Sequence, residues 1–424
     1  MGTVIAIVII VLALLGAPLF VVFSAAALSL FYFAGTDMSA VIVELYRIST
    51  IPLLITIPLF TFAGYLLAES KSPQRIVRFS RALVGWMPGG LAIVALVVCA
   101  FFTAFTGASG VTIIAIGGLM LPVLAAEGYQ EKFSIGLLTT SGSLGLLFPP
   151  SLPIIIYGLV SGTSIDQLFI AGLLPGTFIV VLLSVYSMVI AQRSGVRRSE
   201  FSWRELASAT REFSWELPLP VVVIGGIYSG LFTATEAAAI TAFYAFIIEV
   251  WVYKDLSLTR DIPRVMRESM LLVGAILIIL GSVLGFTNYI VDAQIPIVAL
   301  EWIKQYMSSK IVFLILLNVV LLIGGALLDM LSALMLVPLV LPIAKEFGID
   351  PIHLGIIYLA NLEIGYSSPP AGLNLFIGSF RFKKPVVQLY WASLPFLSFY
   401  VIALGVITYW PDLSLVLLKY FGGK

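Results

Sequence analysis

Oxygen-bearing side chains gather at four places where an otherwise apolar chain loses its helical pattern. The first holds Gly107, Ser109 and Thr112 within residues 101–124, and the second holds Ser141, Ser143, Gly145, Pro149, Pro150 and Ser151 within 134–160. The third holds Gly325, Asp329 and Ser332 within 324–332. The fourth runs from Asn361 through Glu363, Gly365, Ser367, Ser368, Pro369 and Pro370 to Asn374. A helix that stops inside a membrane leaves carbonyls unpaired at its C-terminal end and N–H groups unpaired at its N-terminal end. Such carbonyls, joined by Ser, Thr, Asn or Asp oxygens, coordinate a small hard cation such as sodium, and the N–H ends hold an anion. The candidate sodium ligands are therefore Gly107, Ser109, Thr112, Ser141, Gly145, Gly325, Asp329, Ser332, Asn361 and Gly365. The candidate substrate-binding residues are Ser143, Pro149, Pro150, Ser151, Ser367, Ser368, Pro369, Pro370 and Asn374. Neither Lys nor Arg occurs in the four segments. A carboxylate would thus rest on helix N-termini, hydroxyls and the coupled cations.

The elements that position these residues are duplicated. A Gly-x-x-x-Pro-Pro break occurs at Gly145 to Pro150 and, 220 residues on, at Gly365 to Pro370; the same offset aligns Leu121-Pro122 with Leu341-Pro342, Gly128 with Gly348, and Leu174-Pro175 with Leu394-Pro395. Asp329 then pairs with Ser109, Ser332 with Thr112 and Asn361 with Ser141. Nearer the start, Ala25-Ala26-Ala27 matches Ala237-Ala238-Ala239 at an offset of 212, so one half carries eight extra residues between these places. Paired Gly/Pro-interrupted apolar segments mark a secondary carrier with its sites at the breaks. Residues 107–112 and 324–332 read as tips of re-entrant hairpins with arms too short to span, and 141–151 and 361–374 as unwound stretches of broken spans. The two halves are residues 1–191 and 217–424, joined by a basic cytoplasmic linker at 192–216.

Composition agrees. Of 424 residues 60% are hydrophobic and 11% charged, with a mean hydropathy of +1.11. The expected fold is an all-α polytopic membrane protein of about ten to twelve transmembrane helices, each about 20 residues long. The apolar start reads as a retained first helix rather than a cleaved leader. Net charge +1 gives no reason to invoke nucleic acid, while one cysteine and one histidine exclude an intrachain disulfide and any ordinary zinc or haem site. No cofactor is implied, and no metal other than sodium.

Loop charge predicts inversion of the two halves. Residues 69–85 carry Lys71, Arg75, Arg78 and Arg81, whereas the counterpart near 289–305 carries Lys304 alone; residues 161–166 carry no base, whereas 381–386 carry Arg381, Lys383 and Lys384. Basic loops face the cytoplasm, so matching loops lie on opposite sides. Basic stretches at both 192–211 and 254–267 then require the segment 217–252 to cross twice, turning near Ser229-Gly230, or to lie partly flat.

The run Gly107-Ala108-Ser109-Gly110, then Leu121-Pro122 and Phe148-Pro149-Pro150-Ser151, with Asp329-Met330 and Pro369-Pro370-Ala371-Gly372 ahead of Asn374, strongly resembles the large membrane subunit of tripartite ATP-independent periplasmic (TRAP) transporters. That resemblance covers essentially the whole chain. It implies a multi-pass carrier of the bacterial inner membrane, in the ion-transporter superfamily, driven by a sodium gradient and working as an elevator. The hairpins and broken helices, 101–160 and 321–380, would form the transport domain and the remainder mainly scaffold, with basic stretches 72–85 and 263–269 as bracing arm helices. It further implies a carboxylate-bearing solute such as a C4-dicarboxylate or sialic acid, a periplasmic solute-binding protein, and a small four-helix membrane subunit as a separate chain. Membrane lipid is the remaining partner.

Two rivals share the architecture: a stand-alone sodium/dicarboxylate symporter, and a proton-coupled carrier using Asp329 and Glu363. An enzyme is not expected, because a single histidine and scattered carboxylates offer no nucleophile and base pair. Glu236 is left outside the site, in a turn near the interface; His353 reads as interfacial, and Trp86 and Trp302 as interface anchors.

Overall fold

The computed structural model describes residues 5, 7–9, 11–12, 17–196, 200–295, 297–298, 301, 309–327, 333–334 and 336–421. Asp329, Ser332, Trp302 and Lys304 lie outside the described residues. The first repeat runs α1 (Leu19–Ala34), α2 (Ser39–Ser49), α3 (Thr56–Glu69), α4 (Ser72–Val84), α5 (Gly90–Thr106), α6 (Ser109–Ala126), α7 (Glu131–Ser141), α8 (Leu152–Ser161) and α9 (Ile165–Arg193). After the linker helix α10 (Trp203–Phe213), the second runs α11 (Pro218–Tyr228), α12 (Ala234–Val252), α13 (Asp261–Asp292), α14 (Lys310–Leu327), α15 (Val337–Glu346), α16 (Pro351–Gly365), α17 (Leu373–Phe382), α18 (Val386–Tyr409) and α19 (Asp412–Phe421). Among the described residues seven helices are long and apolar enough to cross a membrane, and α7 with α8, bent by 44°, form an eighth, broken span. Three shorter apolar helices and the second broken pair, α16 and α17, complete the polytopic bundle.

Packing repeats in swapped pairs. Helix α7 packs on α18 as α16 packs on α9; α1 packs on α13 as α12 packs on α3; α6 packs on α17 as α15 packs on α8. Each element thus meets the counterpart of its partner's own neighbour, as a two-fold relation between halves requires. The two broken spans also run antiparallel. The Ser143 hydroxyl donates to the Glu363 carbonyl at 3.1 Å, while further along the first span the Tyr157 hydroxyl donates to the Pro351 carbonyl, near the start of the second, at 2.7 Å. Antiparallel counterparts are what an inverted repeat predicts.

Local signals explain the main boundaries. Asp350 caps α16 by accepting from the Ile352 and His353 backbone N–H groups at 2.7 and 3.3 Å, with Pro351 at the first helical position. Thr233 and Glu236 form a reciprocal capping box at the start of α12, with the Thr233 N–H donating to Glu236 Oε2 at 2.8 Å. Glu236 is therefore a helix-starting residue in the turn. Residues 217–252 form a hairpin: α11, shorter than a span, turns through Gly230 at φ 72° into the span-length α12, and the Tyr244 hydroxyl returns to the Trp215 carbonyl at 2.8 Å.

Three expectations change. The basic stretch 263–269 is no separate arm, because Pro263 sits in the first turn of α13, where proline is tolerated, and the helix continues for 32 residues. In the first repeat Pro52 interrupts the chain between α2 and α3; its counterpart, Leu272, does not. The linker is partly helical, with α10 lying on α4. His353 is buried rather than interfacial: its ring nitrogens stand 3.3 Å from the Ser414 hydroxyl and 3.3 Å from the Thr408 carbonyl.

Helix α4 is fastened by a buried ion cluster. Arg75 Nε donates to Glu216 at 2.5 Å, Nη1 to Asp255 at 2.5 Å and Nη2 to Glu249 at 3.0 Å, with the guanidinium 3.7 Å from the centre of the Tyr253 ring. Burial alone would lower the Arg75 pKa; Glu216, Asp255 and Glu249 outweigh it and raise it, so the guanidinium stays charged. Burial raises the Glu216 pKa against the opposing pull of Arg75 and the Ser72 hydroxyl. Glu249 lies in the last turns of α12 and Asp255 in the connection between α12 and α13. Two acids of the second repeat thus hold a base of the first.

Candidate functional site

The first hairpin turns at Gly107, left-handed at φ 64°, and Ala108, extended, before Ser109 opens α6. Its arms, 17 and 18 residues, are longer than expected, about 26 Å each at 1.5 Å per residue. The tip still meets the broken spans. A Cβ at Gly107 would stand 2.6 Å from Leu152 Cβ at the start of α8, and one at Gly110 would stand 2.5 Å from Ile377 Cδ1 on α17. A Cβ at Gly142 would lie 3.4 Å from the Ser109 carbonyl. Gly107, Ser109, Thr112, Ser141 and Gly145 are thus gathered around one junction.

Thr103 ties that junction together: its hydroxyl donates to the Gly142 carbonyl at 2.7 Å and shares a 2.7 Å bond with the Thr112 hydroxyl. Sequence reasoning missed Thr103, because one hydroxyl inside an apolar arm looks like helix packing; its place four residues before the tip glycine was the available signal. The Ser141 Oγ is buried and meets no partner among the described residues other than the Cys99 thiol. Gly145 presses on α5 so closely that a Cβ there would overlap Ala104 and Ala100 backbone.

The second break repeats the approach with different chemistry. A Cβ on Gly325 would lie 3.3 Å from Gly365 Cα and 3.6 Å from the Asn361 carbonyl, so α14 and α16 touch through glycines. The Asn361 amide donates to Asn318 Oδ1 at 2.7 Å and to the Ile357 carbonyl at 2.8 Å; the Asn318 amide donates to the Thr408 hydroxyl at 3.2 Å. Asn361 Oδ1 itself has no donor among the described residues. Asn318 and Thr408 were not anticipated, though Asn318 is the lone amide in its apolar helix. With Asp329 and Ser332 outside the described residues, this site is seen from its broken-span side.

The breaks, 142–151 with a 3-10 turn at Leu144–Leu147 and 366–372, hold the remaining candidates except Asn374, which lies in the first turn of α17. Ser143 is committed to the Glu363 carbonyl, and the Ser368 hydroxyl to the Ile364 carbonyl at 2.8 Å. Ser367 accepts from the Asn374 amide at 3.3 Å, leaving Asn374 Oδ1 buried without a partner, as is the Ser151 hydroxyl. Pro149 and the pair Pro369 and Pro370 line apolar cavities. Pro150 follows Pro149 in the first unwound stretch and is buried. Glu363 is buried in the last turn of α16, and neither carboxyl oxygen meets a hydrogen-bond donor among the described residues. Buried oxygens of Ser151, Asn361 and Asn374 therefore flank a crossing of two broken helices. Such orphaned acceptors are costly unless a ligand, ion or water satisfies them.

Residues 6–413 match the family model described as the tripartite ATP-independent periplasmic transporter, DctM component. The chain belongs to the TRAP transporter large permease family. It is 36% identical over 398 residues to the C4-dicarboxylate TRAP transporter large permease protein DctM of Pseudomonas aeruginosa, covering 93% of each chain. It is 34% identical over 366 residues to the ectoine/5-hydroxyectoine TRAP transporter large permease protein UehC of Ruegeria pomeroyi, covering 86% of this chain and 85% of that one. Among solved structures, the YdaH transporter of Alcanivorax borkumensis, described as having an unusual topology, shares the fold with a TM-score of 0.67 at 15% identity, over 89% of both chains. This large permease is accordingly a multi-pass inner-membrane protein and one component of a tripartite system.

Proposed function

We propose that this large permease uses a sodium gradient to take up a carboxylate-bearing solute handed over by a periplasmic binding protein, together with a small four-helix membrane subunit carried on a separate chain. Residues 101–160 and 321–380 move as an elevator against the remaining scaffold. The observation that carries the reading is the antiparallel crossing of two broken spans, with unpartnered Ser and Asn oxygens buried around it. Hard oxygen donors suit sodium, and helix N-termini beside them suit a carboxylate. Each net cation carried inward adds about 2.3 kcal/mol per 100 mV of membrane potential. The solutes named for the two relatives make a small polar organic molecule the substrate class.

The test is thermal melting of the purified chain in detergent across sodium, potassium and choline, for the natural sequence, Ser109→Ala and Asp329→Ala. A ligand that binds the folded state raises apparent stability by RT ln(1 + [L]/Kd). A saturable, sodium-specific rise that both substitutions weaken is expected; identical melting in all three salts would overturn sodium coupling in the isolated chain. Glu363, a buried carboxyl with no donor among the described residues, favours proton coupling as the second reading. Uptake into vesicles driven by a pH gradient without sodium would select it.

A further inference from the structure

Beside the first Pro-Pro break lies a cavity of ≈ 230 Å³. Its walls are Val97, Phe101 and Phe105 of α5, Phe148 and Pro149 of the break, and Val180 of α9, and across the seam Pro220 and Ile224 of α11 close it. Thr177 contributes the one side-chain oxygen in the lining. The cavity therefore joins a bundle built from the first repeat to a helix of the second. Behind the other break a cavity of ≈ 330 Å³ repeats the plan, with Pro369, Pro370, Leu397 and Val401 in its wall, but every lining residue comes from the second repeat.

We infer that an acyl chain of a bilayer phospholipid occupies the first cavity. Three observations select that occupant. Pro149 lies between two half-spans, so the cavity sits inside the hydrocarbon layer, and the neighbouring outer surface is apolar, with Val97 at the rim and Val181 and Val185 beyond it all exposed. A lining with one hydroxyl gives water no set of partners, and apolar cavities of comparable size stay dry and take apolar ligands. The narrow, apolar lining suits a flexible hydrocarbon chain. The chain fills the seam between α5, α9 and α11 and seals the break from that side, where loose backbone carbonyls in hydrocarbon would be costly.

The test uses the full chain in lipid nanodiscs containing a trace of phosphatidylcholine with a diazirine midway along one acyl chain. After illumination, adducts are expected on peptides spanning 97–105 and 220–224. Thr177→Phe, and separately Val180→Phe, fill the cavity and should cut those adducts several-fold, whereas Thr177→Val should label like the natural chain. Adducts near Val185, on the open lipid-facing flank, should stay constant in all variants and report that each is folded and embedded. Labelling at 97–105 that is absent, or indifferent to both Phe substitutions, would overturn the assignment. So would modification of Thr177→Cys, in a Cys99→Ser background, by a membrane-impermeant maleimide, which would show the cavity to be wet.

Discussion

The two repeats bring their hairpin arms and broken spans together by the same backbone device and hold them with different side chains. In both, a glycine at the break lies against the preceding arm: Gly145 on Ala100 and Ala104, Gly365 on Gly325. Hydroxyls then join the first pair, Thr103 to Thr112 and to the Gly142 carbonyl, whereas amides join the second, Asn361 to Asn318 and on to Thr408. The arms differ more. Arg75 anchors α4 to three acids, while its counterpart by the repeat offset is Ile295, an exposed apolar residue. Backbone geometry at the crossing has thus been kept twice over, while the polar chemistry around it has specialised.

The largest effect separating the repeats should come from the anchor. Arg75→Met leaves the buried Glu216 and Glu249 without their cation, with Asp255 keeping only Lys71 at 3.8 Å, and should cost about 3–5 kcal/mol, read as a lowered melting temperature in detergent. Adding Glu249→Gln should restore part of the loss, while Ile295→Ala should cost less than about 1 kcal/mol. A comparable loss from Ile295→Ala would erase the contrast between the arms. Next come the glycines: Gly145→Ala and Gly365→Ala should each destabilise by about 1–3 kcal/mol through overpacking. A silent Gly145→Ala would mean that only the second break needs the close approach. The polar ties follow, the amide comparable to the glycines and the hydroxyl smallest. Asn361→Leu strands Asn318 and should cost about 1–3 kcal/mol, and Thr103→Val about 1 kcal/mol. Equal losses in melting would make the hydroxyl and amide versions interchangeable.

Glycine and proline made the plan legible in the sequence. Gly107, Gly145 and Gly365 mark places where a Cβ cannot fit or the backbone turns left-handed, and Pro149 and Pro369 mark where a helix cannot continue, so these requirements survive duplication as letters. The antiparallel relation was legible too, from the loop bases. The partners of Arg75 were not, because they lie 141, 174 and 180 residues away and helical periodicity carries no pairing information. Thr103 and Asn318 were hidden for a related reason: in an apolar helix a single polar residue declares its purpose only when the facing carbonyl or amide is known. His353 looked interfacial because it follows a loop, and only the return of α18 and α19 over it shows otherwise.

Ser143 and Glu363 are counterparts that touch each other, since the Ser143 hydroxyl bonds the Glu363 carbonyl. A residue on a two-fold axis meets its own copy. A chain made of two identical halves could therefore place no carboxyl group at that meeting point, or two facing each other, and never one. A lone acid beside the crossing therefore requires halves that have drifted apart, so the single glutamate is a product of divergence after duplication.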